Sequence, residues 1–168
     1  MSFNAITYFE KVARKLKAIG HTDTEQHFFR IRSLSKLDEL LHKLPEANFP
    51  ALLVHDTVDG VIGDFSVSDS FADEPQFVFY ILQKTDFGDE PAVDAAIQLC
   101  RSLGTKIIAQ MLRHSSLGMH GLQFIDLSRI PYQSIGPLAD NCYGMMYMFN
   151  VMTHIELLTD PEDWDGSW

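Results

Sequence analysis

Residues 76–113 read QFVFYILQKTDFGDEPAVDAAIQLCRSLGTKIIAQMLR. The apolar, aromatic-rich start of this stretch (76–83) reads as a β-strand. Beyond it the period changes. Val93, Ile97, Cys100, Ile107 and Met111 fall on one face of a helix, which predicts a helix over 90–113. Asp89 or Glu90 can cap it, and Pro91 suits its first turn. Gly104 lies in the same apolar stripe. A mid-helix glycine costs about 1 kcal/mol relative to alanine, so its expected use is to seat the helix close to a sheet.

Upstream, Ile6, Phe9, Ala13, Leu16 and Ile19 recur at helical steps, with Ser2 able to cap the start and Gly20 able to close the end. Phe29 and Ile31 alternate with Arg30 and Arg32, which predicts a strand with one wet face over 26–32. Leu34, Leu37, Leu40, Leu41 and Leu44 predict a short amphipathic helix stopped by Pro45. The run Ala51, Leu52, Leu53, Val54 predicts a buried strand. A further strand is expected over 61–67, a polar acidic loop over 68–75, and a hairpin turn at Asp59–Gly60.

Downstream, two long strands are expected, over 121–132 and 143–157, joined by a turn-rich stretch with Gly136, Pro137, Asp140 and Asn141. Tyr147, Phe149, Val151 and Ile155 alternate with Met148, Asn150, Met152 and His154. Residues 159–168 form an acidic tail with Trp164 and Trp168. The expected architecture is α+β: a mixed or antiparallel sheet packed against a long helix and an N-terminal helix, ending in a long β-hairpin. One domain over 1–158 accounts for the 168 residues, and a chain this long buries enough surface to need no disulfide or metal.

The net charge is −10, from 23 acidic and 13 basic residues. It is uneven: residues 1–48 carry 8 basic and 6 acidic side chains, and residues 49–168 carry 5 and 17. Lys11, Arg14, Lys15 and Lys17, with Arg30 and Arg32, are the one basic cluster. Set against this acidity it reads as a solvated helix face, not a nucleic-acid footprint. The two cysteines, Cys100 and Cys142, point to a reduced, intracellular protein. No stretch is long and apolar enough for a membrane-spanning helix.

No residue pattern completes a catalytic, cofactor or metal constellation. His21/His27 and His114/His120 are each six apart, outside the spacing of helical zinc pairs. Asp56, Asp59, Gly60 and Asp64 lack calcium-loop spacing. The stretch 143–152 stands out instead. Met145, Met146, Met148 and Met152 surround Tyr147 and Phe149, and a strand apolar on both faces needs cover on both sides. That cover is the two helices or another subunit. The candidate interface is Tyr143, Met145, Tyr147, Met148, Phe149 and Met152, with Trp164 and Trp168 as exposed anchors.

The order of elements, the NFPALLV run at 48–54, the strand 77–82 leading into the helix 91–113, and Tyr143–Gly144 opening the last strand resemble the tail-terminator and tail-completion proteins of long-tailed bacteriophages and prophages. The resemblance implies an α+β fold and a non-enzymatic assembly protein. It implies a homo-oligomeric ring, often hexameric, that caps the tail tube and docks the head connector. The place implied is the bacterial host cytoplasm during assembly, then the virion. The long connection over 126–141 and the Trp-bearing tail depart from the pattern, and no docking residue is carried over. Two other readings stand beside it. One is a small acidic regulatory or immunity-type module that binds a basic partner. The other is a hydrolase using His55, His114 or His120 with a carboxylate.

Overall fold

The computed structural model describes residues 2–32, 47–55, 59–64, 71–86, 88–138, 141–155 and 157. The helix expected over 34–44 and the tail with Trp164 and Trp168 lie outside these residues.

Two helices, α1 (Ala5–Lys15) and α2 (Glu90–Ser116), and seven strands are described: β1 (Phe28–Ile31), β2 (Ala51–His55), β3 (Asp59–Asp64), β4 (Phe71–Lys84), β5 (Tyr132–Leu138), β6 (Cys142–Asn150) and β7 (Thr153–Ile155). The sheet runs β1-β2-β4-β6-β5, with β3 and β7 both pairing β4. β1 and β2 are parallel, and the other pairs are antiparallel. The fold is α+β with a mixed sheet, as the periodicities require.

Alternation along the strands produces two apolar faces. Leu52, Val54, Phe77, Phe79, Ile81, Met145, Tyr147 and Phe149 point to one side and pack under Phe9 and Ala13 of α1 and Cys100, Leu103 and Ile107 of α2. Ile31, Leu53, Tyr80, Leu82 and Cys142 form a second buried cluster on the other side. Gly104 serves as its position suggests: a Cβ there would overlap the Tyr147 ring. That ring stacks on Phe79 at 4.8 Å and 11°, and its hydroxyl donates to the Arg101 carbonyl at 3.3 Å.

Several boundaries differ from expectation, each for a local reason. α1 is capped by Asn4, whose side chain accepts from the Thr7 N–H, not by Ser2. It ends at Lys15. A turn through Ile19 then closes at Gly20, which has φ +69. Asp59 and Gly60 are not a turn but the start of β3, opposite Gln76 and Pro75. Gly60 is there for closeness, since a Cβ would stand 2.9 Å from the Glu74 carbonyl oxygen. Phe71–Pro75, expected as loop, begin β4. Their acidic residues sit on a ribbon formed with β3 and β7, and Asn150 donates to Glu74 at 2.9 Å.

The terminal hairpin is present, but its first arm is displaced. Residues 121–131 run in turns, with a single bridge from Ile125 to Val151. Asp126 accepts from both the N–H and the hydroxyl of Ser128, a local alternative to strand pairing. The arm is β5, which includes Gly136 and Pro137. A register shift between Ile135 and Leu138 absorbs them, and β5 is an edge strand where a missing N–H is tolerated. The last strand is interrupted once. β6 and β7 keep the same register on β4, but Val151 faces Pro75, which has no N–H to return.

Candidate functional site

The residues expected to form an interface divide between fully buried and half-buried positions. Met145, Tyr147 and Phe149 are buried beneath the helices, so the chain's own core takes up their side chains and they offer no surface to a partner. Tyr143, Met148 and Met152 are half-buried. The cover demanded by the odd-numbered face of β6 is α1 and α2.

The histidine pairs also divide. The His27 ring is bonded to the Pro50 carbonyl at 3.0 Å, and His21 Nδ1 accepts from the His27 backbone N–H, so this pair braces the entry to β1. Asp59 and Asp64 stand at opposite ends of β3, about 17 Å apart for an extended chain, too far to share an ion. Among the described residues no three His, Cys, Asp or Glu side chains converge as metal ligands. Cys100 and Cys142 are buried free thiols, and burial pushes the Cys100 thiol up to about 12, far from a reactive thiolate.

His114 and His120 are brought together. α2 ends at Ser116, and Gly118 and Gly121, with φ +62 and +77, turn the chain back over the helix end. His120 itself adopts φ +59, a conformation that costs a residue with a side chain. Its ring then stands 4.9 Å from His114 and 5.6 Å from Tyr8 of α1. Tyr8 Oη lies 3.0 Å from His114 Nδ1, and Gln110 Nε2 lies 2.7 Å from His114 Nε2. With the Gln110 amide donating to Nε2, Nδ1 carries the ring proton and donates to Tyr8. The Tyr8 hydroxyl, kept protonated because burial raises its pKa, is then free to donate elsewhere. Desolvation holds His114 below the ordinary histidine value, reinforced by the charges of His120, Arg113 and Lys15.

These groups wall one end of a cavity of about 730 Å³ between α1 and the second half of α2. Val12, Leu16, Ile107 and Met119 make its apolar lining, and Lys11, Lys15 and Lys106 stand along it. Part of the basic cluster read as a solvated helix face is therefore a cavity wall. Arg14 of the same cluster turns away, to Glu10 at 3.1 Å and Asp23 at 2.8 Å. Lys106 could not be associated with Lys11 from sequence, because nothing local links positions so far apart. His55 closes β2 and does not line this cavity.

A second surface lies at the far end of β4. Its first residues, with β3 and β7, form a three-stranded ribbon. Val61 and Ile62, adjacent in β3 and so on opposite faces, are 61% and 59% exposed. Leu112 and Leu117, at the end of α2, are also exposed. Compared with known proteins, the chain matches no family model and no curated sequence.

Proposed function

We propose that the protein is a structural assembly subunit of a phage or prophage tail. It closes with copies of itself into a ring at the tail end and docks neighbouring tail-tube and connector subunits. The observation that carries this reading is the ribbon of β3, the start of β4, and β7. It presents Val61 and Ile62 on its two faces, and β3 pairs only with β4 among the described residues. An exposed apolar strand at a sheet edge is a surface for another chain. A ring needs heterologous contacts, one surface meeting a different one. The exposed Leu112 and Leu117 at the end of α2 supply the counter-surface for a neighbour's ribbon.

Light scattering over a wide concentration range tests the reading. The expected mass is a fixed multiple of the subunit, either for the protein alone or after mixing with tail-tube subunits. Val61→Asp and Ile62→Asp should collapse it to the monomer without loss of circular-dichroism signal. A chain that stays monomeric alone and with both tail-tube and connector subunits overturns the proposal.

A further inference from the structure

The cavity between α1 and α2 plays no part in the ring contacts proposed above, and its chemistry points to a ligand. Its charges have one sign. Lys11 and Lys15 come from α1, Lys106 from α2, and among the described lining residues there is no Asp or Glu. The three lysines make no ion pair among the described residues, on a chain whose net charge is −10. Lysine stems lie along apolar walls while their ammonium groups reach for an anion. The lining beneath them is aliphatic, and the volume falls within the range of small-molecule sites. At one end, Tyr8 has a hydroxyl proton to donate, and His114 and His120 stand in contact with it. His120 is held there in a backbone conformation that L residues avoid, a kind of strain that clusters at binding sites.

We propose that this cavity binds a small amphipathic carboxylate. The apolar body would lie against Val12, Leu16, Ile107 and Met119, and the carboxylate would be met by the lysine ammonium groups and the Tyr8 hydroxyl. A multiply charged anion without an apolar body would leave the aliphatic lining wet. A neutral apolar molecule would leave three cations without a counter-charge.

Binding is coupled to a proton. The groups around His114 are Tyr8 and Lys15 from α1, Gln110 and Arg113 from α2, and His120 from the turn, with Lys11 and Lys106 farther along the same cavity. The charged ones are cationic, so together with desolvation their field disfavours imidazolium at His114. A bound carboxylate reverses that field, raises the pKa of His114 and draws in a proton near neutrality. The Gln110 amide must then turn its oxygen toward Nε2, because a protonated ring has no acceptor.

The test is calorimetric titration of the full chain with octanoate, with 1-octanol as the uncharged comparison and inorganic phosphate as the charge without a chain. The expected result is one octanoate per subunit, with 1-octanol weaker by about ten-fold or more, a difference of about 1.4 kcal/mol, and phosphate not bound at the same concentrations. Lys11→Glu and Lys106→Glu should each weaken octanoate about ten-fold while the thermal midpoint holds. His120→Asn, which tolerates the same backbone conformation, should keep the fold and reduce binding. Titration in two buffers of different ionisation enthalpy should show proton uptake at pH 7, and imidazole NMR should show the His114 pKa rising on binding. The proposal is overturned if octanoate fails to bind at millimolar concentration, if the lysine variants bind it as tightly as the parent, or if phosphate competes equally. None of these readouts depends on ring formation, so failure here and failure of the assembly reading are distinguishable.

Discussion

At the scale of single residues, Gly104 opposes two effects of known size. Alanine would stabilise the helix by about 1 kcal/mol on propensity alone. Its Cβ, however, would overlap the Tyr147 ring, which is fixed by Phe79 and by its bond to the Arg101 carbonyl. Overpacking a fixed ring costs about 1–3 kcal/mol. Gly104→Ala is therefore expected to lower the urea midpoint, and a rise would refute the close-packing account. His114 gives a pH signature. Its folded pKa is lowered, chiefly by desolvation, so the unfolded chain binds the proton more readily. Stability from this group is full above the ordinary histidine pKa of about 6.5 and is lost as pH falls through it toward the lowered folded value. Thermal midpoints from pH 7.5 to pH 5 should fall, and His114→Gln should flatten that slope. The tight role of Gly104 was legible in the sequence, because a glycine in an apolar helical stripe has few other uses. The environment of His114 was not, because Tyr8 and Gln110 reach it from two different helices.

At the scale of elements, Pro75 decides where the last strand breaks. Val151 donates to the Pro75 carbonyl at 3.3 Å but receives nothing from its nitrogen, and pairing resumes in the same register at Asp73–Thr153. Pro75→Val restores one N–H at a position where its partner already faces it. It should join β6 and β7 into one strand, slow amide exchange over residues 151–155 and add about 1 kcal/mol of stability. Unchanged exchange there would show that something other than the missing donor breaks the strand. The sequence announced the period-two pattern through 143–155 and therefore the strand. It misplaced the partner arm, because Gly136 and Pro137 are turn residues by composition yet pair in β5 through a bulge at a sheet edge. Likewise Asp73 and Glu74 look like loop residues until β3 and β7 are seen on either side of them. Local propensity gives way wherever pairing with distant strands supplies the hydrogen bonds.

At the scale of the whole molecule, the sheet carries one apolar cluster on each face, and the first residues of β4 join β3 and β7 in the ribbon. The expected light-scattering mass is a fixed multiple of the subunit that Val61→Asp and Ile62→Asp reduce to one, because burying a charge at an apolar contact is costly. The α+β class, the capped α2, the buried β2 and the alternation of β6 were legible in the amino-acid order alone. Each of these is a repeat over neighbouring residues, and periodicity is a local property of the chain. Which apolar residues are buried and which stay exposed was settled by tertiary packing. Met145, Tyr147 and Phe149 were as available to an interface as to a core until α1 and α2 settled on them. The tertiary structure alone also built the cationic cavity. Lys11 and Lys106 lie on separate helices, and their positive charges come together only because both helices bury their apolar faces against the same side of one sheet.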